Sequence, residues 1–216
     1  MAEQPTIVVR GEAFREVPPE QAVLSVTVSA RDRDREAVVA RLAERAGELR
    51  AVLDGYADAI ERRETSAVQI YPDLKRGSER VVAYTAHAGT TVTVTDFGVL
   101  GDLLLRLARL QQAVVSGPWW QLRPGSKAGA DVRRTAIADA LDRAREYAAA
   151  VGARVDRLVE IADEGTSGGG AQPMMRLMAG SAAEDSAASI ELDPQQQTVH
   201  AAVIVRVTIT EPDLAA

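Results

Sequence analysis

The segment DVRRTAIADALDRAREYAAAVGARVDRLVEIAD, residues 131–163, decides the fold of this chain. Its apolar residues recur at helical spacing and form one stripe, which comprises Ile137, Leu141, Ala144, Tyr147, Ala148 and Val151. Gly152 follows this stripe, at the position where helices commonly end on a left-handed residue. Residues 158–161, Leu-Val-Glu-Ile, then have the pattern of a short strand. The segment therefore predicts a long alanine-rich helix that leads directly into a strand.

Outside this segment, alternating apolar and polar residues predict further strands. The clearest case is residues 22–31, in which leucine and valine alternate with serine and threonine, as in a strand buried on one face. Residues 64–71 and 81–95 are predicted to form a hairpin, and Gly89 predicts a bulge or bend in its second strand. The remaining predicted strands are residues 6–10, which Gly11 ends, 118–122 and 199–210.

Two more helices are predicted, each with an aspartate that can cap its first turn. Asp34 precedes an apolar stripe that runs from Val38 to Leu53, and Asp96 precedes a leucine-rich helix. Asp131 is interpreted as the cap of the long helix. Residues 164–197 are rich in Gly, Ser, Ala and Gln, and predict a flexible insertion within a single domain at residues 5–211.

Composition limits the classes of function. The chain has 216 residues, of which 46% are hydrophobic, enough for a sizeable core. A net charge of −6 argues against sequence-independent nucleic-acid binding, and the lack of cysteine excludes disulfides and thiolate metal sites. The first residues lack a basic segment followed by an apolar run, and no segment is apolar over the roughly 20 residues that a membrane helix needs. We therefore expect a soluble cytoplasmic protein.

The sequence predicts no catalytic residue, no metal site and no cofactor. The two histidines, His87 and His200, lie in separate predicted strands, whereas a metal site needs three or four convergent ligands. His200 falls opposite the apolar residues of its strand, and we expect it to face solvent or a helix edge. No G-x-S-x-G elbow is present, and the GTSGGG segment lacks the lysine of a phosphate-binding loop.

Trp119-Trp120 is the most unusual pair in the sequence. Neighbouring residues of a strand point to opposite faces, so that only one of the two can enter a core. Trp120 shares its parity with Leu122 and is assigned to the core, which leaves Trp119 exposed at an interface, covered by loops, or serving as a ligand shelf. The predicted interface residues are Trp119 and, within the insertion, Met174, Met175, Leu177 and Met178.

Four short patterns, taken in order, resemble the SIMPL-domain family, whose bacterial members are often named oxidative-stress defence or immunogenic periplasmic proteins. They are Gly11 with Pro18-Pro19 and Ala22; Glu64-Thr65 with Val68-Gln69-Ile70-Tyr71-Pro72; Ala83-Tyr84-x-Ala86 with Val92-x-Val94-x-Asp96; and Ala136, Ala140, Ala144-Arg145, Ala148, Gly152 and Val159-x-Ile161. The resemblance implies an α+β fold, a mixed and mostly antiparallel sheet with three helices packed on it. It also implies homo-oligomers, and it carries no catalytic residue.

Three functions are compatible with these patterns. The first is a non-enzymatic, self-assembling SIMPL-type protein with a scaffold or sequestration role, linked to the stress response by resemblance alone. The second is a module that binds a small ligand or a protein partner, with residues 164–197 as its lid. The third is a hydrolase or other enzyme whose site the sequence does not reveal.

Overall fold

The computed structural model describes residues 4–168 and 190–213. In chain order, these residues form β1 (Thr6–Val17), β2 (Gln21–Asp32), α1 (Arg35–Asp54), β3 (Ile60–Leu74), β4 (Val81–Val94), α2 (Leu100–Ala108), β5 (Ala113–Gln121), α3 (Ala128–Ala150), β6 (Val155–Gly168) and β7 (Gln197–Ile209). A short 3-10 helix, Phe97–Val99, precedes α2. The predicted α+β class is confirmed. The elements group into two compact units, one with β1, α3, β6 and β7, and the other with β2 to β5, α1 and α2.

The first unit is a three-stranded antiparallel sheet in the order β1-β7-β6, with α3 packed on one face. The central strand, β7, alternates as the sequence predicts. Its odd-numbered residues from Val199 to Ile209 are at most 6% exposed and form the core together with α3.

Helix α3 packs closely on this sheet because its buried residues are small. Ala136, Ala140, Ala144 and Ala148 are all 0% exposed. A Cβ atom on Gly11 would lie 2.1 Å from the carbonyl oxygen of Ala136, so that only glycine allows this approach of strand and helix. The prediction that Gly11 ends the first strand is therefore wrong, since β1 continues through it to Val17.

The prediction for α3 is confirmed at its C-terminal end and is wrong at its N-terminal end and for one residue of its buried face. Gly152 has a φ of +69° directly after the helix, as predicted for its left-handed end. However, α3 begins at Ala128, so Asp131 lies in the first turn and binds Arg134 and Arg15 instead of capping the helix. Tyr147, which the periodicity placed in the apolar stripe, is 59% exposed, because the buried face follows the alanines at every fourth position.

The second unit is a four-stranded antiparallel sheet in the order β3-β4-β2-β5. Strand β2 lies inside it, and the odd–even alternation predicted for residues 22–31 is confirmed, since Leu24, Val26 and Val28 are at most 1% exposed. Helix α1 covers β2 and β4, and α2 completes the core with Leu100, Leu103 and Leu107. Asp34 caps α1 by accepting a hydrogen bond from the Ala37 N–H at 2.8 Å, as predicted.

The predicted hairpin is confirmed as β3 and β4, and the irregularity expected at Gly89 lies in its partner strand. The register of β3 shifts between Thr65 and Ala67, opposite Gly89. A Cβ on Gly89 would lie 2.6 Å from Oγ of Ser66, so the glycine makes room for the bulged serine.

Two features differ from the sequence-based description. The strands form two sheets instead of one, and all pairings among the described residues are antiparallel. The expected insertion at residues 164–197 is also shorter at its start, because β6 continues to Gly168. At its other end, Leu192 packs against the core of the second unit, and the Ile190 carbonyl oxygen lies over Gly101. The single-domain boundaries at 5–211 stay a prediction.

Candidate functional site

An exposed apolar surface of the second unit lies on β3, an edge strand of 15 residues. One side of β3 pairs with β4, and its other edge pairs with no strand among residues 4–168 and 190–213. The outward backbone N–H and C=O groups of such an edge can accept a further strand. The length of β3 therefore makes it the candidate interaction surface, which we call the β3 edge.

Aliphatic side chains on the β3 edge point to the same face of the sheet as the helices. Val68 and Ile70 lie opposite Ala88 and Ala86, and Ala86 is part of the core. Since α1 packs on β2 and β4, the outer strand is left uncovered, and Val68 and Ile70 are 60% and 38% exposed. Soluble proteins usually protect edges with charge or proline, and β3 carries both around this aliphatic centre, at residues 61–64 and at Pro72.

Trp119 lies on β5, the other edge strand of the same sheet. It is 42% exposed and pairs with Val23 on the face away from the helices. Trp120 points to the opposite face, where its ring packs edge-on against Phe97 with centroids 4.9 Å apart. The predicted division between a core tryptophan and an exposed one is confirmed, while the interface role of Trp119 stays a prediction. Met174, Met175, Leu177 and Met178 lie outside the described residues.

His87 lies beside the β3 edge, on the face away from the helices. Its Nε2 is 3.0 Å from the hydroxyl of Tyr71, and the two rings are stacked with centroids 5.8 Å apart. This pairing joins β3 to β4 and gives His87 a structural partner, in agreement with its interpretation as a strand histidine.

His200 lies on β7, on the sheet face opposite α3, and is only partly exposed. Its ring stacks on Phe14 with centroids 4.5 Å apart, and its Nε2 is 3.7 Å from a carboxylate oxygen of Glu12. That distance is too long for a hydrogen bond. Glu12 is also paired with Arg10, which in turn binds Glu164 through Nε at 2.6 Å. These contacts form a polar cluster across β1, β7 and β6.

Other titratable groups are arranged as surface contacts. Within the described residues, no group of three or more His, Asp or Glu side chains is placed to hold a metal ion. Tyr56 donates a hydrogen bond to Asp102, and Arg106 lies 5.5 Å from the centre of the Tyr56 ring. Burial raises the pKa of Tyr56, and the hydrogen bond to Asp102 raises it further. This contact joins the end of α1 to α2.

The β3 edge was not predicted from the sequence, although β3 contains residues that are typical of an edge strand. Val68 and Ile70 are two residues apart in the predicted strand 64–71 and so share a face, but periodicity does not show whether a helix covers that face. The neighbouring run Glu61-Arg62-Arg63-Glu64 and Pro72 are both typical of an edge strand and could have identified it.

The fold and its surface define a class of protein, an α+β chain with two antiparallel sheets and an apolar edge strand. A family model described as SIMPL, a protein of unknown function (DUF541), matches residues 7–207, and the chain belongs to this family. The resemblance found in the sequence is thereby confirmed. No curated protein matches the sequence. None of the described helices is both long and apolar enough to cross a membrane.

Proposed function

We propose that this chain is a non-enzymatic, self-assembling SIMPL-type protein in which the β3 edge binds a second copy. The observation that supports the proposal most directly is the 15-residue edge of β3, which pairs with no strand in the part of the chain that the structure describes and has Val68 and Ile70 exposed at its centre. The SIMPL resemblance supports a second copy as the occupant. The proposed role is that of a scaffold or a sequestering assembly, and its connection to the stress response rests on the resemblance.

The energetics favour a contact that combines apolar burial with strand pairing. Fully burying a Val or Ile side chain contributes about 1.5–3 kcal/mol, and only part of each side chain is still available here. Association in the micromolar range needs about 8 kcal/mol in addition to the cost of ordering side chains. Val68 and Ile70 are therefore too few alone, and new backbone hydrogen bonds along β3 and further contacts must contribute.

Trp119 is proposed as a second contact between copies. It lies on the edge strand opposite β3, and a large exposed aromatic side chain often anchors an interface.

A contact that joins two different surfaces of neighbouring copies leads to a ring or a filament, whereas contact of β3 with itself gives a closed dimer. The β6 edge, with Leu158 and Ile161 at 48% and 44% exposure, is another apolar edge with which β3 of a second copy could pair.

The test is the absolute mass in solution, measured by light scattering behind a sizing column. We expect the wild type to have a discrete mass that is a multiple of 23.0 kDa. Val68→Lys/Ile70→Lys should lower that mass, since two cations cannot be buried at an apolar joint, and Trp119→Ala should lower it to a smaller degree. Val39→Lys/Tyr147→Lys is the matched control, because it also adds two cations at exposed positions, 43% and 59%, which lie on the helices α1 and α3.

A strictly monomeric wild type at micromolar concentration would refute the proposal. A large assembly that is unchanged in Val68→Lys/Ile70→Lys would refute the β3 edge as its contact. If Val68→Lys/Ile70→Lys does lower the mass, Leu158→Lys/Ile161→Lys separates the two geometries, because it disrupts a contact between β3 and β6 and leaves a contact of β3 with itself intact.

A further inference from the structure

The β3–β4 hairpin extends beyond the sheet that supports it. The pairing of β2 with β4 ends at Asp32 and Tyr84, whereas β3 and β4 continue to pair as far as Leu74 and Val81. The Lys75 N–H then donates to the Arg80 carbonyl at 2.8 Å and closes the turn. We call residues 74–82 the hairpin tip.

The hairpin tip combines exposed aliphatic side chains with cations. Leu74, Val81 and Val82 are 54%, 40% and 42% exposed. Beside them the turn carries three cationic residues, Lys75, Arg76 and Arg80, and one carboxylate, Glu79. The tip thus has a formal charge of +2 in a chain whose net charge is −6.

These cations differ from Arg31 on the neighbouring strand β2, which forms an ion pair with Asp73. Arg62 and Arg63, at the other end of β3, are also paired with carboxylates. Among the residues that the structure describes, no carboxylate lies within ion-pair distance of Lys75, Arg76 or Arg80. The positive charge of the tip is therefore not neutralised within the described part of the chain.

We propose that the hairpin tip binds an anionic lipid surface, with its aliphatic side chains entering the interface and its cations contacting the head groups. Charge complementarity supports this partner, since cations near an anionic leaflet and apolar side chains at the acyl boundary act together. A single-stranded nucleic acid would favour aromatic stacking, and the tip carries no aromatic residue. This inference goes beyond self-assembly, because the tip lies outside the Val68–Ile70 centre of the β3 edge.

The experiment is co-sedimentation of the full chain with vesicles of phosphatidylcholine containing 30% phosphatidylglycerol, and with vesicles of phosphatidylcholine alone. We expect partition into the anionic vesicles that weakens as salt rises. Lys75→Glu/Arg76→Glu/Arg80→Glu should lower this partition by at least about 100-fold, since each lost cation contributes about fivefold near an anionic surface and each new carboxylate adds repulsion. Leu74→Asn/Val82→Asn, which keeps the charge, should lower it about tenfold.

The matched control is Arg35→Glu/Arg50→Glu/Arg109→Glu, which changes the net charge equally at exposed positions on or next to the helices. It should retain most of the binding. Equal loss in this control, equal binding to the uncharged vesicles, or no binding of the wild type to anionic vesicles would each overturn the proposal. So would tighter binding to a single-stranded oligonucleotide than to vesicles. Light scattering on each variant shows whether self-assembly is unaffected.

Discussion

Strands β2 and β3 belong to the same sheet, and both have aliphatic residues at alternate positions. They differ in their place in the sheet, since β2 lies inside it and β3 lies at its edge. In β2, Leu24 and Val26 are both 0% exposed beneath the helices. In β3, Val68 and Ile70 point to the same face and remain exposed, because the helices do not reach the outer strand. Alternation therefore identifies the face on which a residue lies, while the position of its strand in the sheet decides whether that face is buried.

A matched pair of leucines provides the strongest test of this contrast. Leu24→Ala should lower the free energy of unfolding by about 2–5 kcal/mol, since it opens a cavity in a closely packed core. Leu74→Ala, on the 54% exposed end of β3, should change it by less than about 0.5 kcal/mol. Denaturant unfolding of both variants checks the difference. Equal losses would mean that β3 is as well covered as β2.

The N-cap of α1 tests how much the helix that packs on β2 contributes to stability. Asp34→Ala should lower the free energy of unfolding by about 1 kcal/mol, because the Ala37 N–H loses its acceptor at the start of the helix. Asp131→Ala is the control, since Asp131 lies inside the first turn of α3 and its ion pairs are exposed. Thermal unfolding should separate the two variants. A larger loss in Asp131→Ala would contradict this description of the helix ends.

A smaller effect is expected from Tyr56, which joins the end of α1 to α2 through Asp102. Its pKa is raised above the ordinary value of 10.0, mainly by burial and then by Asp102. The unfolded state therefore releases this proton first, so the contribution to stability is complete below about pH 10 and is lost as pH rises through the raised pKa. Unfolding curves from pH 8 to 11 should fall more steeply for the wild type than for Tyr56→Phe. Parallel pH profiles would refute the prediction.

Much of the fold could be predicted because the sequence patterns that indicate its helices and strands are local. Alternation identified β2 and β7, glycine identified the end of α3, and Asp34 identified the start of α1. Gly11 and Tyr147 were misinterpreted for a different reason. The role of Gly11 depends on how closely α3 approaches β1, and this distance is set by alanines more than 100 residues away. Tyr147 is exposed because the alanine row of α3 faces the sheet, and helical spacing alone does not show which apolar row is buried.

The candidate surface was less predictable than the fold. Parity alone separated Trp119 from Trp120, because the two faces of a strand are fixed by its geometry. The charged run at residues 61–64 and Pro72 are typical of an edge strand, but the order of the strands arises from long-range pairing, and no single strand shows which neighbours or helices will cover it. The division into two sheets was missed for the same reason.

The central claim is that the β3 edge binds a second copy, and amide hydrogen exchange at two protein concentrations tests it most directly. Peptides that cover residues 60–74 should exchange more slowly at the higher concentration, because the outward amides of β3 become hydrogen-bonded between copies. Peptides from β2 should show equal protection at both concentrations. If the mass of the protein rises with concentration while exchange in β3 stays constant, the copies meet elsewhere and the claim is wrong.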